Sequence, residues 1–138
     1  MKIRPGIKLI KEIEGHYSEP IQKGDRFEAV FKYYYNRGDP ILFETCWHKP
    51  IPEIQTLNGK EVIGWQQPET FKTNIIYDHN GWLERQSELL PGLYYSLLGM
   101  KEGGYRFVAI APHFMSDSIH DGERIKKGSI IKVEIFLL

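Results

Sequence analysis

Cys46 and His48 are the first residues along the chain whose types and spacing could carry a reaction. A thiol near an imidazole is the beginning of a nucleophile–base pair, but such a pair needs a third group to orient the base. None is evident nearby. His113, Asp117, His120 and Asp121 have the residue types of a metal site. Their spacing matches no standard one, so they read as a solvated polar loop, and neither a metal nor a cofactor is expected. Gly99 to Gly104 is no phosphate loop, because no Gly-Lys-Ser/Thr follows and no strand precedes. Lys126-Lys127 reads as a solvated turn.

The elements that must position any site are mostly strands. Ile3, Ile7, Ile10 and Ile13 form one edge of a strand or an irregular arm. From Arg26, residues Phe27, Ala29, Phe31 and Tyr33 alternate with Glu28, Val30, Lys32 and Tyr34, the period of a half-buried strand. Asn36 to Pro40 is a turn by composition. Pro50, Pro52 and Pro68 exclude a long helix between 46 and 87. Glu61–Trp65 and Asn74–Tyr77 read as short strands, and Asp78-His79-Asn80-Gly81 as a hairpin turn. Leu93 to Met100, with Leu93/Leu97 and Tyr94/Leu98 at i,i+4, predicts a short buried helix stopped by Gly103-Gly104. Tyr105 to Ala111 and Ile130 to Leu138 predict two further strands. The fold class is α+β, a curved antiparallel β-sheet packed on one short α-helix, in one domain spanning 1–138.

Composition narrows the function classes. The chain has 138 residues, 18 basic and 18 acidic side chains, and no net charge. A nucleic-acid binder should show a basic excess or stripe, and a membrane-surface protein a polybasic segment. A single cysteine, Cys46, allows no intrachain disulfide. The N-terminus has no apolar signal core, and no stretch approaches the roughly 18 apolar residues of a membrane span. These features predict a cytoplasmic, monomeric domain with no nucleic-acid and no membrane partner.

Glu88-Leu89-Leu90-Pro91-Gly92, Gly99-Met100-Lys101-Glu102-Gly103-Gly104, Ala109-Ile110-Ala111-Pro112 and Ile131-Lys132-Val133-Glu134-Ile135 occur in the order that marks the FKBP-type peptidyl-prolyl cis-trans isomerases. The chain resembles that family best from Glu88 to Leu138. A weaker likeness covers Gly24 to Cys46, where Phe43-Glu44-Thr45-Cys46 stands at the place of a Phe-Asp-Ser-Ser motif. Residues 47–87 look like an insertion. Leu57 to Trp65 also resembles the approach to the family's pocket-floor tryptophan, but that alignment would leave the Leu93–Gly104 signature unexplained.

The resemblance implies an FKBP-like fold and rotation of X-Pro bonds in proline-containing peptides or protein clients. That rotation faces a barrier of about 18–20 kcal/mol set by amide resonance. The twisted transition state is less charge-separated than the planar amide, so a dry apolar pocket favours it without acid or base. By resemblance, the pocket positions are Phe31, Phe43, Glu44, Leu89, Leu90, Leu93, Ser116, Ile125 and Val133. From periodicity by itself the apolar ones read as ordinary core, and Glu44 as a solvated carboxylate. Leu93 stands where the family has tryptophan, Ser116 where it has tyrosine, and Val133 where it has an aromatic residue. These substitutions imply a shallower pocket. They motivate a rival expectation: an FKBP-like binding or chaperone domain that meets partners through 47–87, with Trp65 and Trp82 on a flap.

Overall fold

The computed structural model describes residues 2–44, 49–67, 72–74, 76–84, 89–115 and 128–138. Ten strands and one α-helix follow in order: β1 (Lys2–Arg4), β2 (Ile7–Ile13), β3 (Arg26–Tyr35), β4 (Leu42–Glu44), β5 (Ile51–Leu57), β6 (Lys60–Gln66), β7 (Lys72–Asn74), β8 (Ile76–Trp82), α1 (Pro91–Leu97), β9 (Tyr105–Ile110) and β10 (Ile131–Leu137). Six of the strands make one antiparallel sheet in the order β1-β2-β9-β10-β3-β8. The sheet-rich antiparallel layout with one short helix agrees with the expected α+β class.

Alternation decides which side chains meet the helix. Leu9, Val108, Val133 and Tyr33 stand in register across four adjacent strands. Ile7, Ile110, Ile131 and Tyr35 form the next row. On α1, Leu93, Tyr94 and Leu97 close over these rows in a single buried cluster. Proline at the first helical position, after an extended Leu90, starts the helix without a side-chain cap. Gly92 lets the helix approach β9, because a Cβ there would come within 2.7 Å of Ile110 Cγ2 and 3.1 Å of the Phe114 carbonyl oxygen. The helix ends at Leu97, before the expected Met100. Leu98 leaves the helical region with ψ 128°, and Arg106 Nη1 donates to the Ser96 and Leu98 carbonyls at 2.8 and 3.0 Å, so the last turn is closed by β9 and not by Gly103-Gly104.

The other face of the sheet is covered by a hairpin. β5 and β6 pair through a two-residue turn in which Asn58 (φ 53°) and Gly59 (φ 77°) both take left-handed conformations. Ile51, Ile54 and Ile63 of this hairpin pack on Val30, Ile76, Tyr105 and Phe136. That layer corrects two expectations. The Asp78–Gly81 segment is no turn: it runs straight through β8, with Asn80 opposite Glu28 and Gly81 opposite Phe27. The real hairpin turn is Asn58-Gly59, and pairing with β3 overrides the local Asn-Gly signal at 80–81. Nor is β3 half-buried, since the hairpin also buries Val30 and Lys32 on its second face.

Candidate functional site

The residues expected to form the prolyl pocket start from α1. Leu89 and Leu93 are buried at its entry, and Leu90, in the extended N-cap position, is half-buried. Phe31 reaches the same cluster from β3 and Val133 from β10. Ile41, with no exposed surface, belongs to it too, and β4 leaves from there carrying the backbone of Phe43 and Glu44 opposite Thr73 and Lys72. Phe31, Leu89, Leu93, Leu90 and Val133 are therefore brought together. Ser116 and Ile125 lie outside the described residues, as do Cys46, His48, Asp117, His120, Asp121, Lys126 and Lys127. The core reading of these positions has direct support, because Phe31 is 2%, Leu93 3% and Val133 0% exposed.

Tyr33 is a residue that sequence reasoning passed over. It sits directly across from Val133, two places along β3 from Phe31, and is buried in the same cluster. Its ring meets Tyr77 edge-on at 5.5 Å. Its hydroxyl has no hydrogen-bond partner among the described residues. Burial, and then the neighbouring Tyr77, push its pKa well above the usual tyrosine range. The signal was present as the polar-tipped end of the Phe27–Ala29–Phe31 stripe.

What this cluster can do is exclude water and hold apolar groups, and Tyr33 places a neutral hydroxyl within it. Among the described residues no group of three or more metal-ligating side chains comes together. His113, the described member of the polar loop cluster, lies against the Phe114 ring at 4.2 Å between centroids. Among the described residues no helix is long and apolar enough to cross a membrane.

The outer face holds the polar chemistry. Glu134 accepts the Tyr105 hydroxyl at 2.6 Å and the Tyr34 hydroxyl, and lies 4.0 Å from Lys32 Nζ. Lys32 also donates to the Pro52 carbonyl at 3.2 Å, tying the hairpin to the sheet. Burial lowers the Lys32 pKa, and Glu134 and then Glu53 pull it back in part. Burial raises that of Tyr105, helped by the charge and hydrogen bond of Glu134. Cavities open on this side among the described residues. One, of about 670 Å³, lies over β2, β9 and β10. Another, of about 440 Å³, lies between β3, β8 and Trp65. Neither is lined by Phe31, Leu89, Leu90, Leu93 or Val133.

No protein-family model matches the chain, and no curated protein matches it.

Proposed function

We propose that this chain is an FKBP-like domain that binds X-Pro segments of protein clients at the start of α1 and accelerates their cis–trans isomerisation. The observation that carries the reading is that Phe31, Leu89, Leu93 and Val133 belong to one buried apolar cluster on the helix face, with the half-buried Leu90 packed against it. In this reading the prolyl ring packs at Leu90, the half-buried member of the set. Catalysis there is desolvation of the planar amide, with Tyr33 and Glu44 as the polar groups that orient the flanking peptide bonds. The test is the cis-to-trans rate of a Leu-Pro peptide with micromolar protein. Acceleration that falls in Phe43→Ala, with an unchanged unfolding curve, supports the reading; a rate equal to the uncatalysed one ends it.

A second reading, a domain that keeps the scaffold and binds partners without isomerisation, is favoured by Trp65 and Trp82, which are 52% and 57% exposed. Removing residues 50–85 would be a poor test of it. That deletion strips β8 from the sheet edge and uncovers Val30, Tyr105 and Phe136. Trp65→Ala and Trp82→Ala leave those layers intact, and client capture that survives both argues against the tryptophans as the contact.

A further inference from the structure

The lysines of the outer face fall into two kinds. Lys11 is paired with Glu61 of the hairpin at 2.9 Å, and Lys32 with Glu134 and the Pro52 carbonyl. One row further along the strands, Lys8 and Lys132 stand in register on either side of Ala109. Neither has a hydrogen-bond or ion-pair partner among the described residues. Adjacent strands are about 4.8 Å apart, so the two lysines bracket Ala109 at roughly 10 Å between backbones. Their flexible stems let both ammonium groups reach one anion between them.

The same place is the cavity of about 670 Å³. Its floor is low because Ala109 and Ala111 are small, and its rim carries Ile10 and Ile130, 43% and 41% exposed. Asn36 adds an amide at one end. The hairpin does not reach it: the layer over the outer face packs on Val30, Ile76, Tyr105 and Phe136. The edge-on pair Tyr34–Phe107, at 5.7 Å, stands between the two regions.

We propose that this trough docks an extended segment of a partner protein that carries an acidic side chain flanked by apolar ones. The carboxylate sits between Lys8 and Lys132, the apolar side chains lie on Ala109 and Ala111 against Ile10 and Ile130, and Asn36 bonds the segment's backbone. Charge complementarity sets the sign, since both ammonium groups lack a carboxylate partner among the described residues of a charge-balanced chain. The open shape selects a peptide segment over a small fatty carboxylate, which binds in clefts that bury most of its surface. The trough lies on the opposite face from the proposed prolyl site, so the two readings stand or fall separately.

The probe is a fluorescein-labelled octapeptide alternating leucine and glutamate, followed by fluorescence anisotropy on the full chain. Saturable binding is expected, weaker at high salt. The Lys8→Gln/Lys132→Gln variant and a glutamine-for-glutamate peptide should each lose affinity by about tenfold or more. Lys60→Gln, on the exposed end of the hairpin, should not. Laurate should fail to displace the peptide. Equal binding to the double variant, no saturable binding to the unaltered protein, or displacement by laurate would each overturn the proposal. Both lysines are at the surface, and each single variant, expected to lose severalfold, serves if the double variant unfolds.

Discussion

The helix face and the hairpin face of the sheet use the same strands, and alternate residues of those strands serve each. On the helix face the rows through Leu9 and Ile7 are apolar from β2 to β3, Arg106 of the next row caps the helix end, and the cover is one helix of seven residues. On the hairpin face the rows mix Phe107, Tyr105 and Phe136 with Lys32 and Glu134, and the cover is a two-stranded ribbon. The first face is closed by dispersion and loss of water, and the second by fewer apolar contacts plus a carboxylate shared by two tyrosines and a lysine. A sheet covered on both sides can thus close one side by apolar packing and give the other to polar locking of an added element.

The largest break is expected on the helix face. Leu97→Ala removes a fully buried side chain and should cost about 2–5 kcal/mol, read from urea unfolding, with both faces lost together. Next comes the hairpin lock. Glu134→Leu leaves the Lys32 ammonium and two hydroxyls without their shared acceptor, at a cost of about 3 kcal/mol. Adding Lys32→Met should recover a large part of that, which a simple loss of packing would not allow.

Alkaline pH acts on buried groups of both faces. Tyr33 keeps its proton in the folded state to higher pH than in the unfolded chain. Above about pH 10 the unfolded state therefore binds fewer protons, and stability should fall by about 1.4 kcal/mol per pH unit for this group. Tyr105 on the outer face acts with the same sign. Lys32, with its lowered pKa, acts with the opposite one, adding stability as pH rises toward the ordinary lysine value. Tyr33→Phe should make the alkaline decline shallower in denaturation series at stepped pH.

The smaller effects concern the hairpin itself. Gly59→Ala, at a left-handed position, should cost about 1 kcal/mol and speed amide exchange in β5 and β6 but not in β9. Smallest is Lys11→Gln: its bridge to Glu61 is 44% exposed at both ends, and less than about 1 kcal/mol is expected.

Much of the helix face was legible in the sequence. The stripe Phe27–Ala29–Phe31–Tyr33, the alternation of Ile131, Val133, Ile135 and Leu137, and the i,i+4 leucines of α1 each follow a single period, and each is buried as that period implies. The outer face was not legible. Val30, Lys32 and Glu134 look like solvent-facing alternates, because nothing local announces that residues 51–66 return over them. Tyr105 and Phe136 likewise gave no sign of a second core. The helix end was misplaced because Arg106, on a different strand, closes it. Asn58-Gly59 and Asn80-Gly81 carry the same turn signal, and strand pairing, a non-local term, decides that only the first is a turn. Of the proposed site, Phe31, Leu89, Leu90, Leu93 and Val133 were named together by the resemblance, whereas Tyr33 figured only as a member of the alternating stripe of β3.

Amide chemical-shift mapping during titration with a Leu-Pro peptide tests most directly whether the helix face holds the proposed prolyl site. Saturable shifts concentrated at Leu90, Leu93, Tyr33 and Val133 are expected, with exchange between cis and trans forms faster than in free peptide. Shifts confined to the outer face, around Trp65 or Lys132, or no shifts at all, would contradict it.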